Sequence, residues 1–140
     1  MTDAHRSVSL TRTGPTTYEA TNARGGTLTF GSGGESTDFT PVELLLTAIA
    51  GCSAIDIDML TSRLAEPASF TMTAGGEKVR DDQGNHMGPI TVQVSVTFPE
   101  GEEGDAARAR LPEAVAMSRD RLCTVSRTVL LPTPVTYQMD

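Results

Sequence analysis

From Val42 to Leu64 the chain places apolar side chains in nearly every direction around a helical axis. Val42, Leu44, Leu45, Leu46, Ala48, Ile49, Cys52, Ile55, Ile57, Met59, Leu60 and Leu64 advance by about 100° per residue on a helix and leave no wide polar face for water. Such a helix has to be covered on most sides. A chain of 140 residues has little material for that cover, so the segment predicts a central helix that is sandwiched within one subunit or completed by a second chain. Its start is well marked. Thr40 can cap it, Pro41 suits the first helical position, and Glu43 stands where a capping box needs it. Ala65-Glu66-Pro67 should close it just after Leu64.

Strand patterns flank this helix. Val8 and Leu10 alternate with polar residues, Gly14-Pro15 punctuates, Thr16–Thr21 is rich in β-formers, Arg24-Gly25-Gly26 turns, and Thr27–Phe30 alternates again, which predicts a three-stranded meander. Residues 31–38 are small and polar and read as a loop. After Pro67, Phe70, Met72 and Ala74 alternate, Asp81–Gly88 reads as a turn, and Ile90, Val92, Val94, Val96 and Phe98 alternate in a hairpin with one buried face. Glu100–Asp105 reads as an acidic loop. Ala106–Arg121 has helical spacing, which Pro112 should kink or restart. Thr124–Leu131 reads as a short helix and Pro134–Met139, with Val135, Tyr137 and Met139 alternating, as a last strand. Strands and helices come in blocks, so the class is α+β and the length predicts one domain over residues 1–140.

Eleven Lys and Arg against eighteen Asp and Glu give a formal net charge of −7. That charge repels phosphate backbones and anionic membrane surfaces, and no basic cluster offsets it. Six aromatics and no Trp leave no stacking platform for single strands. Nucleic-acid and membrane partners are therefore disfavoured. The N-terminus lacks the apolar run of a secretory signal, and the apolar stretch around residues 42–60 is interrupted by Asp56 and Asp58, so the expectation is a cytoplasmic protein.

Two cysteines in a reducing compartment are seldom a structural staple, and His5 and His86 give no metal-ligand spacing with either of them. The expectation is cysteine chemistry without a metal or other cofactor. Cys52 lies mid-helix in Ala50-Gly51-Cys52-Ser53, and Cys123 lies where the second helix ends. Each could equally be a small core hydrophobe, since free cysteine is among the most buried residue types. A mid-helix thiol gains nothing from a helix N-terminus, so a reactive Cys52 would need a nearby cation.

The stretch from Thr40 to Asp56, TPVELLLTAIAGCSAID, resembles the first cysteine motif of the OsmC/Ohr family, the osmotically inducible and organic hydroperoxide resistance proteins. Leu122-Cys123-Thr124-Val125-Ser126-Arg127-Thr128 resembles the second. The separation of about seventy residues and the element order agree with the family over nearly the whole chain. The resemblance implies an OsmC-like fold with antiparallel sheets around a long central helix, in an intertwined homodimer with active sites at the subunit interface. It also implies a thiol peroxidase: Cys52 attacks an organic hydroperoxide and becomes a sulfenic acid, Cys123 condenses with it to a disulfide, and an external dithiol reductant restores both.

Family members hold the thiolate with an arginine from the N-terminal strands and orient that arginine with a glutamate near the start of the central helix. Arg24 is the best local match for the arginine, with Arg12 second, and Glu43 is the glutamate candidate. An exposed turn explains Arg24 without catalysis, and the capping box explains Glu43 equally well. On an ideal helix nine residues span about 13.5 Å and end half a turn out of phase. Glu43 would thus act on Cys52 only through an intermediary or across a dimer. Ohr-type members carry Asn-Pro-Glu, whereas Pro41-Val42-Glu43 resembles an OsmC-like branch. Arg127 could supply charge beside Cys123. The competing reading is a stress-associated binding protein that keeps the fold and an apolar interface pocket with little or no peroxidase activity.

Overall fold

The computed structural model describes residues 4–140. They form two compact units, one comprising residues up to Leu45 and the other Leu46–Asp140. In the first, β1 (Val8–Gly14), β2 (Thr17–Asn22) and β3 (Thr27–Gly31) make an antiparallel meander in the order β1-β2-β3. Leu10 pairs with Ala20 and Ala20 with Leu28, so each strand's apolar positions share a face. Tyr18 lies opposite Phe30, and their rings stack with centroids 5.6 Å apart. The β2–β3 turn is held by the Asn22 side chain, whose Oδ1 accepts the Arg24 and Gly26 N–H groups at 3.0 and 2.9 Å. Gly25 there has φ 89°, which glycine adopts without steric cost.

The helix α1 (Pro41–Thr61) starts as its sequence requires. Thr40 Oγ1 accepts the Glu43 N–H at 3.3 Å, and Glu43 Oε1 accepts the Thr40 N–H at 2.8 Å, which is a complete capping box. It ends three residues before Leu64. The Thr61 hydroxyl turns back to donate to the Ile57 carbonyl at 2.8 Å, and the Leu64 and Ala65 N–H groups both donate to the Thr61 carbonyl. By length and composition α1 could cross a membrane, yet Ile49, Ile57 and Thr61 are buried within the chain. The cover is one-sided. Ile55 and Met59, four residues apart on one face, are 64% and 58% exposed.

In the second unit β4 (Ser69–Asp81) and β5 (Gly84–Thr97) form an antiparallel hairpin. It is longer than its composition implies, because the polar and glycine-rich run from Asp81 to Gly88 continues the ladder: Arg80 pairs with Asn85 and Val79 with His86. Only Asp82 and Gln83 remain as the loop. Asp81 organises it, accepting the Gln83 N–H on Oδ1 at 2.9 Å and holding His86 Nε2 on Oδ2 at 2.8 Å. A side chain that bonds its own turn thus replaces the long loop.

The helix α2 (Glu102–Met117) begins inside the expected acidic loop, since Glu102, Glu103 and Asp105 occupy its first turn, where negative charge is favoured. Pro112 neither ends nor restarts it. Proline removes one ladder bond, and burial around it offsets that loss: Ala107 and Leu111 pack with Phe98, Ala65 and Val96, and Ala114 is fully buried. A π-turn (Ser118–Leu122) and the short helix α3 (Thr124–Leu130) follow. The expected last strand, Pro134–Met139, is not formed. A strand exists only by pairing with another, and Val135, Tyr137 and Met139 are exposed and pair with nothing among the described residues.

Two expectations follow. A Cβ on Gly104 would lie 1.6 Å from the Pro99 carbonyl oxygen, so Gly104→Ala must push α2 off the strand end and should lower stability by about 1–3 kcal/mol or more in urea unfolding. The Asp81 carboxylate, followed by the Met87 carbonyl, raises the His86 pKa above the ordinary histidine value. Its stabilising contribution is therefore present at low pH and lost as pH rises through that raised value. An NMR titration should show His86 losing its proton at higher pH in the parent protein than in Asp81→Asn.

Candidate functional site

The candidate site is built where α1 meets the π-turn, inside the second unit. Cys52 and Asp56 stand one helical turn apart on α1 and so share a face, with Ser53 beside them. Across from them the wider turn that follows α2 closes with the Cys123 N–H donating to the Ser118 carbonyl at 2.9 Å, five residues back. The chain then leaves helical geometry at Cys123 (φ −73°, ψ 99°), which serves as the N-cap of α3. Ser118 and Cys123 end up 1% and 0% exposed, and both reach α1.

Two polar contacts fix the meeting. The Ser118 hydroxyl donates to Asp56 Oδ2 at 2.8 Å, and the Ser53 hydroxyl donates to Cys123 Sγ at 3.5 Å. Cys123 Sγ also accepts the Ser126 N–H at 3.4 Å, and its S–H donates to Ser126 Oγ at 3.2 Å. The two sulfur atoms and an Asp56 carboxylate oxygen all lie within 4.8 Å of one another. Cysteines about seventy positions apart in the chain are thus neighbours.

The thiols are not equivalent. Burial pushes the Cys123 thiol up, but the Ser126 and Ser53 hydroxyls, the Ser126 N–H and the Cys52 thiol more than offset it, and its pKa falls below the usual thiol value. Burial also pushes Cys52 up. The Val125 backbone opposes that, while Cys123 and Asp56 add to it, and the net shift is upward. None of the leading influences on Cys52 is a cation. Negative charge on the pair therefore settles on Cys123 unless a positive group is brought to Cys52.

Beside the pair lies a largely apolar cavity of about 360 Å³. Ile49 and Ile57 of α1, Met72, Val92 and Val94 of the hairpin, and Val129 and Leu130 of α3 line it, with Arg119 among them. Ser53 and Ser126 line it too, so the hydroxyls that hold the Cys123 sulfur also face the cavity. Arg119 is paired with Asp120 at 2.8 Å.

Arg24 occupies the β2–β3 turn and is exposed, and Glu43 is in the capping box of α1; both belong to the first unit, whereas Cys52 and Cys123 belong to the second. Arg12 is on β1, paired opposite Tyr18. Arg127 is half-buried on α3, four residues past Cys123. Four contributors escaped the sequence reading: Asp56, Ser53, Ser118 and Ser126. Asp56 carried a usable signal, a carboxylate four residues after a cysteine on an otherwise apolar helix. The serines carried none, because the π-turn that aims Ser118 has no distinctive sequence.

Several solved structures share this fold. A hypothetical protein from Aquifex aeolicus VF5 aligns over 92% of this chain and 89% of its own with 21% identity and a TM-score of 0.72. An OsmC-like protein from Mycoplasma pneumoniae aligns over the same fractions, 92% and 89%, with 14% identity and a TM-score of 0.73. An organic hydroperoxide resistance protein OsmC from Legionella pneumophila aligns over 92% and 91% with 16% identity and a TM-score of 0.58. No curated protein matches by sequence. The family model for OsmC-like proteins matches residues 33–138, a span that holds α1, both cysteines, the hairpin and the π-turn, and the chain belongs to the OsmC-like family.

Proposed function

We propose that the protein is a thiol peroxidase that reduces organic hydroperoxides through Cys52 and Cys123. The observation that carries this reading is the paired sulfurs beside an apolar cavity, each sulfur in a different electrostatic state. The name of the Legionella neighbour, an organic hydroperoxide resistance protein, supports the same chemistry.

In this mechanism the Cys52 thiolate attacks the terminal peroxide oxygen, the O–O bond breaks, and the departing alkoxide takes a proton to become the alcohol. Cys52 is left as a sulfenic acid. The Cys123 sulfur then attacks the Cys52 sulfur, the hydroxyl leaves as water with a proton, and a disulfide forms; an external dithiol returns both thiols by exchange. A lowered pKa suits Cys123 for the second step, because the thiolate is the attacking species. The cavity would hold the apolar part of the peroxide, so hydrogen peroxide should be the poorer substrate. A reductive cycle of this kind belongs in the cytoplasm.

Burial, Cys123 and Asp56 outweigh the Val125 backbone and raise the Cys52 pKa, which works against thiolate formation. Its activation needs a cation, and Arg24 is the family's choice for that role, with Glu43 orienting it. A homodimer is the arrangement that would complete such a site. The exposed Ile55 and Met59 on α1, and the unpaired strand pattern of Pro134–Met139, call for the same partner, a second copy of the chain.

The raised Cys52 pKa and the Glu43 capping box favour one rival, an OsmC-like binding protein that uses the cavity without turning over peroxide. Peroxide consumption with a dithiol reductant separates the two. Parent protein should consume cumene hydroperoxide, Cys52→Ser should not, and an inactive parent protein leaves the binding reading. Arg24→Ala should slow the second-order reaction at least about tenfold, or ~1.4 kcal/mol of transition-state stabilisation. Arg12→Ala serves as the comparison, and if neither matters while Cys52→Ser is dead, the activating cation is another residue. Sedimentation at micromolar concentration should give a dimer whose interface exceeds roughly 2,000 Å²; a compact monomer would remove the shared site.

A further inference from the structure

The geometry points to a further use of the cysteine pair: Cys52, Cys123 and Asp56 form a binding site for a soft or borderline divalent cation of the Zn²⁺ type. Their donor atoms lie within 4.8 Å of one another. Tetrahedral zinc, with Zn–S near 2.3 Å and Zn–O near 2.0 Å, needs about 3.8 Å between two sulfurs and about 3.5 Å between sulfur and oxygen. The two sulfurs therefore need to close by about 1 Å at most, and each sulfur and the oxygen by about 1.3 Å at most. Two of the three, Cys52 and Asp56, are one turn apart on a single helix, a spacing that keeps the pair in register whatever the ion does.

The surroundings match what such a site requires. Asp56 is oriented by the Ser118 hydroxyl at 2.8 Å, as ligating carboxylates are commonly fixed by an outer hydrogen bond. Cys123 is fully buried and its sulfur accepts from Ser53 and the Ser126 N–H, donors that stabilise a ligating thiolate. Cys52 and Asp56 are only half-buried, which leaves an entry side and room for water as the fourth ligand. Two sulfurs and one oxygen select zinc, cadmium or cobalt over magnesium or calcium, which prefer all-oxygen sites. Two thiolates and one carboxylate carry three negative charges, and a divalent ion offsets two of them.

An ion held this way and a Cys52–Cys123 disulfide are mutually exclusive, because both use the same two sulfurs. The site would thus act as a metal-controlled block on the thiol chemistry, although ion binding itself does not depend on the peroxidase reading. The test uses the fully reduced full-length chain under anaerobic conditions, titrated with Co²⁺ and then Zn²⁺, with no peroxide present. About one Co²⁺ per chain should bind with near-ultraviolet thiolate charge-transfer bands and the visible bands of a tetrahedral ion, and Zn²⁺ should displace it. Cys52→Ser and Cys123→Ser should each lose most of the charge-transfer intensity. Asp56→Asn, which keeps an oxygen for Ser118 to bond, should keep the thiolate bands while binding at least about tenfold more weakly. Circular dichroism of each variant checks that it is folded. Absence of thiolate bands in the parent protein, or folded cysteine variants that bind as the parent does, would overturn the site; an unchanged affinity in Asp56→Asn would overturn its three-ligand form. A chain inactive toward peroxide that still binds Co²⁺ would leave the ion site standing and remove only the peroxidase.

Discussion

The 2.8 Å hydrogen bond from Ser118 to Asp56 joins a buried hydroxyl on the π-turn to a half-buried carboxylate on α1. Asp56 interrupts an apolar helix, and Ser118 is a hydroxyl with 1% of its surface exposed. A buried hydroxyl without a partner costs about 1–3 kcal/mol, so Ser118 needs the carboxylate. Once that bond is made the π-turn is seated on α1. Cys123, five residues further on and tied to the Ser118 carbonyl by its own N–H, then has little choice but to stand against Ser53 and Cys52. The cysteine pair is positioned by a contact that involves neither sulfur.

The same bond has an electrostatic consequence. It holds a carboxylate near Cys52, where it opposes thiolate formation, while the donors that accompany the turn collect around Cys123. If Cys52 is to attack a peroxide, a positive charge has to be brought to it, because burial, Cys123 and Asp56 raise its pKa. In the proposed dimer, thiol activation would be a property of the assembly and not of one chain.

Most of the framework is legible in the sequence. The Thr40-Pro41-Val42-Glu43 capping box, the three short strands before Gly31 and the alternation from Ile90 to Phe98 are local signals, and local physics decides them. The failures share a cause. Asp81–Gly88 reads as loop by composition, but Asp81 bonds the Gln83 N–H and His86, so the ladder runs through it. Pro112 reads as a break, but the burial of Ala107 and Ala114 on either side holds the helix together. In both cases a contact made elsewhere in the fold outweighs a residue preference. Within the site, both cysteines were readable and their partners were not, since a serine's value depends on what the π-turn aims it at.

Pro134–Met139 marks where reading one chain stops being enough. Its alternation is as clear as that of β5, yet Tyr137 and Met139 are 90% and 94% exposed. A period-two apolar pattern records the surroundings in which a segment is finally buried, and those surroundings can belong to another copy. Ile55 and Met59 on α1 record the same thing with helical spacing. Strand pattern and helix pattern therefore make one demand from two places in the second unit. The proposed dimer would answer it by covering both, and would bring to Cys52 in the same step the positive charge that its own surroundings do not supply.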